Sequence, residues 1–293
     1  MEWERAKNYI LVFFVLLNIG LALLWFMEYN RYVMTAEQER IIRDILSQNN
    51  ISMYTRPMRR SPPMRPLNVT GFYYDEDWLL EIFFDDPAQA TTISPNVFAC
   101  DKGRLEISHG WISYEAHEPY GFRDTGARVL SVDGSELTRD IAAGLTDEFM
   151  RSYFPEFRQD SIFYVVNAHG APEGVRIVYR QMYRGQIIHS NFAEFWVTTN
   201  GIERIDMRFG RVLGHDGHSQ MIFSPDEVLL TFAQRMRHTH ELQVITHMDL
   251  AYFQEYICDQ PGNDFFAIPF YRIFVVGDDR PFLINAYTNV IID

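Results

Sequence analysis

Residues 9–27 read YILVFFVLLNIGLALLWFM, a run without a charged side chain and with Asn18 as its one strongly polar group. At about 1.5 Å per helical residue this run spans roughly 28 Å, close to the ~30 Å hydrocarbon core of a bilayer. A helix of a soluble core is rarely this long without a charge, so the run is expected to be a transmembrane helix. Arg5 and Lys7 precede it, offset by Glu2 and Glu4, while Glu28 and Arg31 follow it. Counting Lys and Arg together with the α-amino group places residues 1–8 in the cytoplasm and the rest of the chain outside it. The expectation is a cell-membrane protein with one pass. A cleaved signal peptide is the rival reading, but it calls for a shorter apolar core and a small-x-small cleavage site. Here the run ends in WFMEYN, and Trp25, Tyr29 and Tyr32 suit the aromatic belt of a membrane interface.

The chain of 293 residues carries 26 Lys and Arg against 39 Asp and Glu, a net charge of −13. Charges of both signs balance before residue 32, so the exported part holds the whole excess. An acidic domain is repelled by phosphate backbones and anionic lipid headgroups, which argues against nucleic-acid binding. With 47% hydrophobic and 15% aromatic residues the exported part is rich enough to pack a core. Cys100 and Cys258 stand far apart in sequence; a disulfide is permitted outside the cytoplasm, and two isolated thiols is the plainer reading.

Beyond the anchor the pattern predicts an α+β fold in two parts: a membrane-proximal α+β domain over residues 35–130 and a C-terminal α+β domain over residues 131–293. Residues 36–48 place Ile41, Ile42, Ile45 and Leu46 on one face of an amphipathic helix. Residues 56–66, RPMRRSPPMRP, read as an extended, exposed connector. Strands are expected over residues 69–74, 78–84, 97–100, 104–108 and 111–114, separated by Asp-, Pro- and Gly-containing turns. The C-terminal part reads as one pattern used twice, over about 131–215 and 216–293: a helix followed by an antiparallel meander. The helices are expected at residues 138–153 and from the Ser224-Pro225-Asp226-Glu227 start to about Met236. A helix covering one face of a curled sheet, twice over, is the expected architecture.

Motifs for chemistry are scarce. The sequence holds no Gly-rich phosphate loop, no HExxH zinc motif and no GxSxG nucleophile elbow. Lys7 and Lys102 are the only lysines, so lysine chemistry outside the cytoplasm would rest on Lys102 alone. His215-Asp216-Gly217-His218 and His238-Thr239-His240 have ligand-like spacing, but the first lies in a Gly-rich loop and the second just past a helix end. The carboxylates Asp75, Glu76, Asp77, Asp85 and Asp86 bracket an expected strand and read as solvated turns. No catalytic, cofactor or metal residue is assigned, and an enzyme is not expected. Asn18 says more. An amide inside a membrane helix prefers a hydrogen-bond partner, on another helix or on its own backbone. With Phe14, Leu21, Ala22 and Trp25 at helical spacing it outlines a candidate partner-contact face.

The opening Met1-Glu2-Trp3-Glu4-Arg5-Ala6-Lys7, running straight into the anchor, resembles the start of the YycI family. So does the helix over residues 36–48 leading into Asn49-Asn50-Ile51-Ser52, and the Ser224-Pro225-Asp226-Glu227-Val228 start falls in a matching place. Near the end, Ile268-Pro269-Phe270-Tyr271-Arg272-Ile273 and Leu283-Ile284-Asn285-Ala286 resemble the family's closing strands. Tyr287-Thr288-Asn289 departs from its usual small-residue turn ending in Gly, and residues 69–126 offer no match. The resemblance implies a regulator. YycI and its relative YycH are single-pass proteins of Gram-positive bacteria that associate with the WalK (YycG) sensor histidine kinase, in part through transmembrane helices. It also implies PepSY-like folds in the C-terminal half, and a YycH-like regulator as a further partner. The alternatives are an exported cell-wall enzyme or protease-inhibiting module, with a site near His215 and His218, and a structural scaffold of the same single-pass layout.

Overall fold

The apolar run forms one continuous α-helix, Glu2–Asn30 (α1). It appears so in a computed structural model describing residues 2–30, 32–71, 75–84, 86–108, 110–120, 138–166, 172–199, 201–239, 241–254 and 264–292. Its span Lys7–Met27 is long and apolar enough to cross a membrane, and none of it is buried against the rest of the chain. A core helix of a soluble protein would bury most of such a surface.

After α1 come α2 (Ala36–Gln48), β1 (Ile51–Met53), β2 (Leu67–Gly71) and α3 (Glu76–Phe84). A 3-10 turn over Pro87–Gln89 leads to β3 (Thr91–Ser94), β4 (Val97–Ala99), β5 (Gly103–Ser108) and β6 (Trp111–Tyr120). Next are α4 (Arg139–Tyr153), β7 (Phe157–Val166), β8 (Pro172–Tyr183), β9 (Gln186–Thr198), β10 (Gly201–Arg208) and β11 (Gly210–His215). The chain closes with α5 (Pro225–Met236), β12 (Gln243–Phe253), β13 (Asp264–Val275), β14 (Phe282–Asn285) and β15 (Ile291–Ile292). The result is mixed α+β: one N-terminal apolar helix and a sheet-rich remainder.

Two units result, and they are not consecutive in sequence. The first joins Met1–Met64 to Gln220–Asp249 and Tyr271–Asp293; the second holds Arg65–Ser219 and Leu250–Phe270. This departs from the expected division at residues 35–130, 131–215 and 216–293. The reason is long-range pairing that local patterns do not reveal. β1 adds in parallel to the start of β12, with Ile51 opposite Gln243 and Met53 opposite Ile245. α2 packs on α5. It buries Ile42 and Leu46, while α5 buries Val228, Leu229, Phe232, Ala233 and Met236.

Within the first unit the helix starts are set by reciprocal caps. Gln38 N donates to Thr35 Oγ1 at 3.2 Å, and Thr35 N donates to Gln38 Oε1 at 2.8 Å. Ser224 N and Oγ both donate to Glu227 Oε2, at 2.8 and 2.7 Å, with Pro225 in the first turn. The β14–β15 turn is held by Asn285 Oδ1, which accepts from the amides of Tyr287 and Thr288. Asn289 closes that turn at φ 57°, the left-handed region that asparagine tolerates best after glycine. The connector is less exposed than expected: Pro57, Ser61 and Met64 are buried, and Tyr287 donates its hydroxyl to Met64 O at 3.0 Å. Arg272 is fully buried, 1% exposed, with Nε and Nη2 donating to the two oxygens of Asp249 at 2.8 and 2.7 Å.

In the second unit β7, β8, β9 and β10 pair antiparallel in sequence order. β6, β5, β4 and β3 continue the antiparallel order from β10. The core includes Phe83, Phe84, Tyr114, Phe149, Phe154, Phe195 and Phe209. β12 also meets β9 in parallel, Ala251 opposite Ile187, so the sheet is mixed where an antiparallel meander was expected. The expected strand at residues 78–84 is instead α3. Asp75 Oδ1 accepts from Trp78 N at 3.4 Å, and Leu79, Leu80, Ile82, Phe83 and Phe84 are all buried. A short helix buried nearly all round carries the same apolar run as a buried strand. The loop expected around His215 is preceded by a strand, β11, paired with β2. Its glycines have packing reasons. A Cβ on Gly210 would come within 2.8 Å of Val69 Cγ1 and 2.9 Å of Thr70 O, and Gly214, at φ 142°, sits where the register shifts.

Two stability measurements test these contacts in the full chain in detergent. Asp249→Ala strands a buried guanidinium, with an expected cost of about 3–5 kcal/mol by urea denaturation; a cost under about 1 kcal/mol would refute the pairing. Hydrogen bonding from Arg59 holds the Glu39 carboxyl below its usual range, against the opposing effect of burial. A carboxyl so depressed contributes stability above its unfolded pKa, near 4.3, and loses it as pH falls through the folded value. Wild type should therefore exceed Glu39→Gln at neutral pH, by at most about 1 kcal/mol because the Arg59 guanidinium is half exposed to water. The gap should close on acidification below about pH 4; a pH-independent gap would contradict this account.

Candidate partner-contact site

Phe14, Asn18, Leu21, Ala22 and Trp25 recur at three- and four-residue spacing and so share one side of α1. All five are exposed. The structure directs Asn18 to its own helix, Nδ2 donating to Phe14 O at 2.8 Å. That is the local alternative to an interhelical bond. Because one N–H serves the backbone, the second N–H and Oδ1 still face outward with no partner among the described residues. A neighbouring helix can meet both without breaking the local bond.

The other residues singled out by sequence take structural roles. Asp86 Oδ1 accepts from Ala88 N at 3.0 Å and caps the 3-10 turn, as Asp75 caps α3; Asp85 lies outside the described residues. Glu76 and Asp77 fall in the first turn of α3, where the helix dipole favours them. These carboxylates thus flank a helix rather than a strand. Lys102 Nζ donates to Phe84 O at 3.3 Å, at the end of α3. Cys100 is half-buried and its Sγ accepts from Lys102 N, while Cys258 lies outside the described residues. His215 ends β11 with its ring 5.9 Å from that of Tyr183 and 6.2 Å from that of Tyr252. Asp216 accepts from Gly217 N, and His240 lies outside the described residues. Among the described residues no three His, Cys, Asp or Glu side chains converge in the manner of a metal site.

Sequence reasoning missed a cleft of about 520 Å³ in the second unit, lined by residues of α4, β7 and β8. Asp147, Arg151, Arg158, Gln159 and Tyr179 supply its polar groups; Met150, Pro155 and Phe157 supply apolar wall. Tyr179 is buried and its hydroxyl lies 2.5 Å from Asp147 Oδ1 and 2.9 Å from Thr146 Oγ1. Burial, and then the Asp147 bond, push the Tyr179 hydroxyl well above its ordinary range, so it stays protonated and donates. Arg151 pairs with Asp147 at 3.1 Å, and Arg158 Nη1 donates to Pro155 O and Phe157 O. The only sequence signal was the Asp147–Arg151 pair at i,i+4, which is also what any solvated helix face shows.

No protein-family model matches the chain, and no curated protein does. Similarity appears in shape instead. An uncharacterized protein from Eubacterium rectale superposes with a TM-score of 0.52, covering 83% of this chain and 91% of its own, at 10% identity. That likeness is one of fold. A distant structural neighbour is the C-terminal domain of YpeB from Bacillus megaterium, at a TM-score of 0.37 and 9% identity over 89% of this chain and 96% of that domain.

Removing the Tyr179 hydroxyl should leave Thr146 and Asp147 short of a partner. Tyr179→Phe is expected to cost about 1–3 kcal/mol in urea unfolding, and an unchanged midpoint would mean that water replaces the hydroxyl.

Proposed function

We propose that this chain is a membrane-anchored regulator that associates with a two-component sensor histidine kinase of the WalK (YycG) kind and biases its signalling state. The observation that carries the reading is α1, an exposed apolar helix bearing a half-satisfied amide on one face. The YycI-like segments at both ends of the chain support it. In this reading the N-terminus is cytoplasmic, the remainder is extracytoplasmic with PepSY-like helix-and-meander units, and a YycH-like protein shares the complex.

Magnitudes set what each contact does. An interhelical hydrogen bond to Asn18 is worth about 0.5–2 kcal/mol. Moving a kinase from 1:99 to 99:1 between two states requires about 5.5 kcal/mol of differential binding. Asn18 therefore orients the helix pair, and the packing of Phe14, Leu21, Ala22 and Trp25 with ectodomain contacts supplies the remainder. Regulation arises only from contacts that differ between the two kinase states.

A second reading, an exported enzyme or inhibitory module at the wall, draws on the Tyr179 cleft rather than on the histidines. One experiment separates the two. A photoreactive residue at position 18 in living cells should capture a sensor kinase, and the same residue at Leu16, on the other side of α1, should not. Capture of wall enzymes or division proteins without a kinase would defeat the regulatory reading.

A further inference from the structure

β5, β6, β10, β9, β8 and β7 lie side by side in the second unit, and their register fixes which side chains share a face. One face is the core, with Leu105, Ile112, Met207, Ala193 and Ile177. On the other, Trp111, Arg208, Phe192, Arg180 and Arg158 stand in one row across β6, β10, β9, β8 and β7. Four residues away along β10, Glu115, Arg204, Trp196, Arg176 and Phe163 form a second row. Between the two run Ser113, Asp206 and Glu194. Aromatic rings and arginines are thus interleaved in both rows, with carboxylates between them. No local sequence pattern shows this, because each row is drawn from separate strands.

The charges of this face are matched within it. Arg204 Nε lies 2.7 Å from Asp206 Oδ2, and its Nη2 donates to Asp206 Oδ1 at 3.2 Å. Ser113 Oγ donates to the same Oδ1 at 2.7 Å, and Arg176 faces Glu194 at 3.7 Å. Arginines also cover the phenylalanines, Arg176 at 4.8 Å from the Phe163 ring and Arg180 at 5.4 Å from that of Phe192. The tryptophans stay open. Among the described residues Trp196 has no ring or cation against it, and Trp111, 40% exposed, meets only the ring of Phe192, at 75°. Their Cα atoms stand two strands and four residues apart, about 16 Å. Arg204 and Glu115, both exposed, and half-buried Glu194 flank the line between them.

We infer that this face of the second unit binds a glycan chain, its sugar rings lying on Trp111 and Trp196 and its hydroxyls bonding Arg204, Glu115 and Glu194. The C–H face of a sugar ring suits the negative face of an indole. A hydroxyl both donates and accepts, so it serves carboxylate and guanidinium alike. The carboxylates decide the class of partner. Asp206, Glu194 and Glu115 repel the phosphates of nucleic acid. The centre of a protein interface is depleted of Asp and Glu, since closing it strips water from charges. A glycan leaves the face wet and replaces some of its water with hydroxyls. The inference needs neither the kinase reading nor a membrane crossing by α1, so failure of either leaves it standing.

The test is a ligand-observed NMR titration of the full chain with chitotetraose, cellotetraose and maltotetraose. Phosphatidylcholine nanodiscs hold the protein, so that no glycosidic detergent competes. At least one tetrasaccharide should bind with a Kd of about 1 mM or tighter. Its monosaccharide should bind about tenfold more weakly or worse, since one ring cannot reach both tryptophans. W111A and W196A should each weaken binding about tenfold and E115Q about threefold, while W111F and W196F, which keep a ring, lose less. High salt should leave the affinity unchanged. An unshifted urea midpoint certifies the fold of each variant; where an alanine variant shifts it, the phenylalanine and E115Q arms decide. No saturable binding by any of the three would overturn the inference, as would tryptophan variants that bind as wild type does. So would binding confined to a heparin fragment and lost in high salt, which would make the face a site for polyanions.

Discussion

Three residues of β1, Ile51 to Met53, meet Gln243 to Ile245, and the first unit depends on that pairing. The loop it closes is about as long as the second unit, yet closure entropy grows only logarithmically with length, about 0.6 kcal/mol per doubling. The burial of Ile42 and Leu46 of α2 and of Phe232 and its neighbours on α5 offsets that readily, at about 1.5–3 kcal/mol for each large side chain. Without the pairing α2 would be a lone amphipathic helix of 13 residues, marginal in water. With it, the segment that emerges from the anchor becomes part of a core whose other half lies at the end of the chain.

Each unit matches its buried polar groups with specific partners. The first buries a guanidinium and satisfies it with both oxygens of Asp249, and it spends tyrosine hydroxyls on main-chain carbonyls, Tyr271 on Phe223 and Tyr287 on Met64. The second pairs side chain with side chain: Ser113 with Asp206 at 2.7 Å, Asn191 with Gln181 at 2.6 Å, Tyr179 with Asp147. Polar groups so matched cost little when buried, whereas removal of one partner leaves the other desolvated. Specific pairings of this kind pin strand register where apolar packing alone tolerates slippage.

Much of the local structure was legible because local physics decides it. The amphipathic stripe of residues 36–48 and the Ser224-Pro225-Asp226-Glu227 start fixed α2 and α5. Failures arose where a residue's reason lies elsewhere in the chain. Residues 78–84 show no period because nearly every side is covered. The Gly-rich stretch around His215 read as a loop, yet Gly210 admits Val69 and the backbone of Thr70. The prolines of the connector implied exposure, and the tyrosine that donates to Met64 O lies more than two hundred residues away. The helix face at Asn18 was legible as a face, but the choice between a partner and Phe14 O was not, since both satisfy the same amide. The cleft around Tyr179 was invisible because its walls come from three elements with no shared motif.

The placement of β1 and α2 has a consequence for the order of events in the cell. Ribosomes add roughly 5–20 residues per second, so their partners near Gln243 arrive tens of seconds after the anchor has been made. In the proposed topology the apolar side of α2, with Ile42 and Leu46, stands uncovered beside the lipid surface for that interval. The last segment to be synthesised must then draw it away. A chain that stops short of α5 never acquires that competitor, so in that topology α2 distinguishes finished molecules from truncated ones.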